Sequence, residues 1–292
     1  MPAARKPHPA QNPQPVFSPQ VEFWGIDGCK GGWFCFGLSR SGGWRALVAA
    51  SMEDAWRDLA RHAPRLILTD MPIGLPSGAA ERACDRLARR FVGARRASIF
   101  PMPCRQAVAQ YQAAPPASAA AKRLRLEEAA ACHRRHTGKG LSVQSLNLIP
   151  AIADMDSFVR AVPHAPIREM HPEVAFAALN GRRGLAHYKK TQRGERERLA
   201  LLRRHLPSLP QIWRRLKAHY PKRAAAPDDI LDAMVGALTA WLTQRCRLQS
   251  LRAPQVEEPT MEPIMEPIME IVFVVPPPQP PSQMMRGAGR QA

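Results

Sequence analysis

Val21-Glu22-Phe23-Trp24-Gly25-Ile26-Asp27-Gly28 is a mostly apolar run that ends in a carboxylate and a glycine. It predicts a strand over about residues 21–27 that carries an acid at its carboxyl end. Gly28-Cys29-Lys30-Gly31-Gly32 is rich enough in glycine for a hairpin turn. Trp33 to Leu38 and Trp44 to Ala49 then read as second and third strands, joined by Ser41-Gly42-Gly43. Ser51, with Asp54 at the capping-box position, opens a helix to about His62. Leu66-Ile67-Leu68-Thr69-Asp70 repeats the strand-then-Asp pattern as a fourth strand over 65–69. Hairpins followed by a helical crossover make the fourth strand parallel to the first, and a right-handed crossover can set the two side by side. Asp27 and Asp70 then stand together at the carboxyl ends of neighbouring strands, where open α/β sheets bind ligands.

A third acidic element lies far downstream. Pro227-Asp228-Asp229-Ile230-Leu231-Asp232-Ala233 opens a helix whose next turns are almost wholly apolar (Met234, Val235, Ala237, Leu238, Ala240, Trp241, Leu242). Carboxylates entering such an element are costly to bury unless paired or bound to a metal. Asp229 and Asp232, three residues apart, share one face of that helix. Three separated elements therefore point to one metal-binding crevice made by Asp27, Asp70, Asp229 and Asp232, with the carboxyl groups of Asp27, Asp70 and at least one of Asp229 and Asp232 within about 8 Å of one another. Oxygen-only ligands suit Mg²⁺ or Mn²⁺. Two such ions roughly 4 Å apart can make a nucleophile from water and stabilise a departing oxyanion, the needs of phosphodiester hydrolysis. Gly28 leaves room for a phosphate to approach. Each acid also has an ordinary explanation: Asp228 or Asp229 as a helix cap, Asp70 as a turn residue, Asp27 as a hairpin acid.

Residues 77–164 read as a mainly helical insertion, broken at Pro115-Pro116, with a helix over 119–136. Arg82, Arg86, Arg89 and Arg90 share one helical face. With Lys30, Lys189 and Lys190, and with Arg95 and Arg96 nearby, they are candidate contacts to backbone phosphate; a solvated helix face is the rival explanation. The sheet resumes at Ile167 to His171, and Pro172 and Glu173 start a helix through Leu179. Glu173 is a further candidate catalytic acid as well as a favoured first-turn acid. His171 reads either as a proton shuttle or as a structural histidine, and Glu169 as a further possible ligand. A charged helix spans about 191–205 and the apolar helix after Pro227 closes the domain. Residues 1–20 and 251–292, proline-rich and low in complexity, read as disordered around a folded domain at 21–250. In the tail, Met-Glu-Pro-Ile occurs twice before Ile271-Val272-Phe273-Val274-Val275, a β-prone run that could at most pair with an edge.

The 292 residues can bury a large core, and the formal charge is +18. The segment from Ala253 onward carries five Glu against two Arg, so the excess sits in the middle of the chain. Such a surplus suits a polyanion, nucleic acid above all; an arginine-biased composition with solvated helix faces explains it equally. The six cysteines are scattered without a CxxC pair, which disfavours zinc and a disulfide framework. No run reaches the roughly 18 apolar residues of a membrane span, and the first twenty lack a signal core, so a cytoplasmic protein is expected.

Several stretches together resemble domain-of-unknown-function family 429, described as predicted RNase H-like nucleases. They are Gly25-Ile26-Asp27-Gly28-Cys29-Lys30-Gly31-Gly32-Trp33, Asp70-Met71-Pro72-Ile73-Gly74-Leu75-Pro76, Arg82-Ala83-Cys84-Asp85, Ser98-Ile99-Phe100-Pro101-Met102-Pro103, Gly140-Leu141-Ser142-Val143-Gln144, His171-Pro172-Glu173 and Asp228-Asp229-Ile230-Leu231-Asp232-Ala233. The resemblance covers roughly 21–245. It implies an RNase H-like α/β fold: a five-stranded mixed sheet flanked by helices with carboxylates at its centre. Holliday-junction resolvases of the RuvC type share that fold, with Asp on strand one, Glu at the end of strand four and an acidic pair on the last helix. The residues of this chain that resemble those positions are Asp27, Asp70, Asp229 and Asp232, with Asp in place of Glu at the second. The expected function is metal-dependent phosphodiester hydrolysis; the alternative is a nucleic-acid-binding module that keeps the fold without turnover. A phosphotransferase of the actin/sugar-kinase type ranks last, because it needs two strand-Asp-Gly hairpin domains.

Overall fold

The computed structural model describes residues 20–114, 118–253 and 267–277. The expectations for 1–19, for the Pro115-Pro116 break and for most of the Met-Glu-Pro-Ile repeats lie outside these residues. The chain begins with β1 (Phe23–Cys29), β2 (Gly32–Leu38) and β3 (Trp44–Ala49), crosses through α1 (Met52–Leu59) and returns as β4 (Leu66–Thr69). Four helices follow: α2 (Ala83–Val92), α3 (Arg105–Gln112), α4 (Ala119–Thr137) and α5 (Val143–Ala161). Then come β5 (Ile167–Glu169), α6 (Pro172–Leu179), α7 (Gln192–His205), α8 (Leu209–His219), α9 (Pro227–Leu242), β6 (Leu248–Leu251) and β7 (Ile271–Val274).

The main sheet runs β3-β2-β1-β4-β5. β1, β2 and β3 pair antiparallel, whereas β4 lies parallel to both β1 and β5. This is the expected α/β fold, a five-stranded mixed sheet with helices after β4, consistent with an RNase H-like arrangement. Alternation along the strands divides the core between two faces. Trp24 and Ile26 pack with residues of α1, α3, α4 and α5, whereas Phe23, Phe34, Phe36 and Leu38 pack with α6 to α9. Gly25 and Asp27 share the second face with Phe23, so Asp27 looks toward α9.

α9 lies directly on β1. A Cβ at Gly25 would run into the carbonyl of Ala233, and one at Gly236 would stand 3.0 Å from the Gly25 Cα. Only two glycines let the backbones meet this closely. The apolar run of α9 is buried almost throughout, as its composition requires.

Three elements, α8, β6 and β7, depart from the sequence expectation. α8 was not anticipated, although Leu209, Ile212, Trp213 and Leu216 follow a helical period and are all buried. The disordered tail expected over 251–292 is corrected at Ile271–Val274. This run pairs antiparallel with β6 from Leu251↔Ile271 to Leu248↔Val274, and all four residues are buried. Ile271 and Phe273 cover Cys84, Val92, Ile99, Val174 and Ala177, which would otherwise face water. Phe273 packs against Phe91 with ring centroids 4.9 Å apart, and Glu270 accepts from Arg168 Nε at 2.9 Å. Apolar burial decided the outcome over local low complexity.

Two substitutions test this architecture. Gly25→Val should destabilise the fold by about 3 kcal/mol or more, since the added atoms meet α9 backbone that cannot yield cheaply. Val272→Asp should cost a similar amount, about 3 kcal/mol, by burying a charge without a partner. Urea unfolding midpoints read both; an unchanged midpoint for Val272→Asp would mean that β7 contributes nothing to the fold.

Candidate metal centre

Asp27 is held by β1 two residues before the strand ends at the hairpin turn, paired with Phe34. Asp70 follows β4 directly, and its N–H donates to the Ile26 carbonyl at 3.0 Å, extending the parallel ladder by one residue. The two carboxylates are therefore neighbours across a parallel pair, as the strand-end pattern requires. Asp232 comes from the second turn of α9. Pro227 starts that helix, and Asp229 Oδ2 accepts from the Ala226 N–H at 2.8 Å, which fixes its first turn. The Gly25–Gly236 contact lowers this end of α9 onto β1. As a result, carboxylate oxygens of Asp27, Asp70 and Asp232 all lie within 4.8 Å of one another.

The group is poorly solvated. Asp27 and Asp232 are buried, Asp232 to 1% exposure, while Asp70 is partly exposed and forms the open side. Burial, with the charges of Asp70 and Asp232 beside it, holds the Asp27 carboxyl well above the usual carboxylate range. Burial and Asp232 push Asp70 up to about 8. Asp229 is pushed up to about 6, chiefly by burial. Lys189 answers this charge: Nζ donates to Asp232 Oδ2 at 2.6 Å and stands 3.9 Å from Asp228. Burial works against its ammonium, yet Asp232, Asp27 and Asp70 outweigh that and hold its pKa well above the ordinary value.

Three hard oxygen donors in one group suit a divalent cation. Asp232 Oδ1 adds a structural reason, because it is buried without any hydrogen-bond partner. Such an orphan acceptor in a buried carboxylate is costly unless something cationic faces it. The residues present fit a cation.

Other candidates fall elsewhere. Asp229 stands outside the three-carboxylate group and caps α9. Lys189, expected to contact phosphate, instead pairs with Asp232 inside the acidic group, where the charge of the clustered carboxylates holds its ammonium. Arg82 is likewise corrected. It precedes α2 rather than joining an exposed stripe, is 1% exposed, and pairs with Glu169 and, at 3.2 Å, with Asp85. Glu169 is thereby engaged away from the carboxylate group, its Oε2 accepting from Ile73 N–H at 2.7 Å. Arg89 is half-buried and bonded to Glu81 and the Ile99 carbonyl, which leaves Arg86 and Arg90 as the exposed members of the four. Arg95 donates to the Leu185 carbonyl at 2.8 Å, and Arg96 is exposed. Lys30 and Lys190 are exposed, and Gly28 is half-buried with only the Met71 Cε, 3.4 Å away, near the space of a Cβ.

Glu173 is buried and pairs with Arg198 at 2.5 Å. The signal for Arg198 was in the sequence: Gly194, Arg198, Leu201 and Leu202 mark the buried face of α7 at helical spacing. His171 Nδ1 accepts from the Glu173 N–H at 3.2 Å and so caps α6, and burial lowers its pKa. The structural reading of that histidine is the one the geometry supports. Ser142, part of the family-like run, caps α5 through the Ser145 N–H at 3.1 Å, and Gln144 is exposed.

Residues 25–257 match the model of a family described as "Protein of unknown function (DUF429)". The chain belongs to this family. No curated protein and no solved structure matches it. The DUF429 match spans Asp27, Asp70 and Asp232 and ends before β7. Among the described residues of this DUF429 protein, no helix is long and apolar enough to cross a membrane.

The raised carboxyls predict a pH dependence. A folded-state pKa above the unfolded value means that the folded chain binds more protons, so stability is lost as pH rises. For Asp70 the window runs from the ordinary 3.8 to about 8. A divalent cation demands the ionised forms and offsets that loss. Cation-free protein should therefore show a falling Tm between about pH 5 and pH 8.5, and Mg²⁺ or Mn²⁺ should raise Tm more at the upper pH. Thermal unfolding with and without cation at both pH values checks this; equal increments would contradict it.

Proposed function

We propose that this DUF429 protein is a metal-dependent nuclease of the RNase H-like kind, hydrolysing phosphodiester bonds in nucleic acid. The observation that carries the reading is the trio of carboxylate oxygens within 4.8 Å at the ends of two parallel strands and one helix, with a buried orphan oxygen on Asp232. Asp27, Asp70 and Asp232 would hold Mg²⁺ or Mn²⁺, and Asp229, one turn from Asp232, is the remaining candidate for a second ion. When bound, such ions supply a water-derived nucleophile near neutral pH and neutralise charge on the departing oxygen.

The chain's own residues contribute the remainder. Asp27 and Asp232 are fixed by regular elements and buried, so they hold a cation at a defined place. Asp70 lies on the open side, where a phosphate reaches the group, and Gly28 keeps the adjacent strand end clear. The exposed Lys30 and Lys190 lie within a few residues of Asp27 and Lys189, and suit a polyanionic backbone on either side. The net charge of +18 favours the same partner.

A second reading, a nucleic-acid-binding module without turnover, draws on one observation: Lys189 already gives Asp232 a cationic partner. Cleavage of a panel (duplex, single strand, junction, RNA–DNA hybrid) with Mg²⁺ or Mn²⁺ separates the two. In the nuclease reading, Asp27→Asn and Asp232→Asn each lower cleavage by at least about a hundredfold while the fold survives. Cleavage that persists in both variants would remove these carboxylates from the chemistry. Binding without cleavage by the parent on every substrate would favour the module.

A further inference from the structure

We propose that Lys189 is a built-in counter-ion that competes with the divalent cation for Asp232, so that cation loading requires its ammonium to leave. The proposal rests on the metal-site reading above and deepens it by naming what the cation displaces.

The geometry supplies the competition. Lys189 Nζ sits 2.6 Å from Asp232 Oδ2, while the other oxygen of the same carboxylate has no partner and Asp27 and Asp70 complete the group within 4.8 Å. A cation shared by these three carboxylates would lie only a few ångströms from the ammonium. Two positive charges that close in a mostly buried site repel strongly, because little water screens them. Among the other described charges at this end of α9, Asp228 lies 3.9 Å from Nζ and Asp229 is engaged with the Ala226 N–H. Neither places a second cation beside Asp232.

The surroundings also make departure inexpensive. The backbone around Lys189 is fixed by the start of α7. Glu197 accepts from the N–H groups of Ala186 and His187, each at 2.9 Å, and Arg198 donates to the His187 carbonyl at 3.2 Å. The Tyr188 carbonyl accepts from the Thr191 N–H at 3.0 Å and fills the space where Gly194 would carry a Cβ. The loop therefore stays in place while only the four-carbon stem of Lys189 has to move. Its side chain is 30% exposed against 1% for Asp232, so a route to solvent is already open. The ammonium thus offsets the charge of one carboxylate, Asp232, when no cation is present.

The test is calorimetric titration of the full chain with Mn²⁺ alone, for the parent, Lys189→Gln, Lys189→Met and Lys189→Arg. Removing the charge should tighten Mn²⁺ binding by at least about tenfold in the Gln and Met variants, while Arg stays close to the parent. Measurable binding by the parent with equal or weaker binding by the folded Gln and Met variants overturns the proposal and leaves the metal site standing. No binding by any of the four removes the metal site and the proposal together. A measurement on unsubstituted protein guards against variants that fail to fold. Amine labelling read by mass spectrometry should show Lys189 becoming more reactive on saturation with Mn²⁺, while the already exposed Lys190 stays constant. An unchanged Lys189 rate under saturating Mn²⁺ also overturns the proposal.

Discussion

The contact of α9 with β1 through Gly25 and Gly236 is the constraint on which the centre of this molecule depends. Side chains of ordinary size at these two positions would hold helix and strand apart by the usual packing distance. With glycine at both, the Gly25 Cα stands 3.0 Å from where a Gly236 Cβ would be, and the first turns of α9 come down beside the end of β1. Asp232 lies one helical turn from Gly236, and Asp27 two residues from Gly25. The same close approach that completes the core thus fixes one carboxylate against another. β4, parallel to β1, then adds Asp70 by extending the ladder by a single residue.

Concentrating acids in this way works against stability, and the fold answers with separate basic partners. Lys189 serves Asp232, Arg198 serves Glu173, and Arg82 serves Glu169 and Asp85. Arg82 and Arg198 are almost wholly buried with their acids, so removing one partner of those pairs leaves an uncompensated charge and they act as structural commitments, whereas the Lys189 side chain keeps a route to solvent. Part of the large positive charge of the chain is therefore spent internally. The exposed lysines and arginines, not those three, set the charge of the surface.

β7 extends the same economy beyond the region that matches the family. Ile271 and Phe273 seal the cluster between α2 and α6, Val272 and Val274 join the main core, and Glu270 engages Arg168 beside them. Pro267 and Met269 also press on Gly74, whose φ of +79° places it in the left-handed region, within the loop that leads away from Asp70. The C-terminal segment thereby packs against the loop following a candidate ligand, although it lies some two hundred residues further along the chain.

Local pattern alone determined much of the architecture. Alternating apolar runs and glycine turns set the three-stranded meander, and Trp44–Ala49 and Pro172–Leu179 lie where the residues imply. The strand-then-Asp repeat with a helical crossover was enough to bring Asp27 and Asp70 together, because a parallel pair puts both carboxyl ends at one edge. The acids opening an apolar helix marked Asp232. What the sequence could not decide was the partner of each charge. Arg82 and Lys189 look in sequence like any other basic residue in a basic protein, and only the meeting of distant elements turns them into internal counter-ions. The burial of Ile271–Val274 has the same origin. Local composition describes what a residue can do, whereas the cost of leaving a buried charge or an apolar face unmatched is settled only when the whole fold has closed.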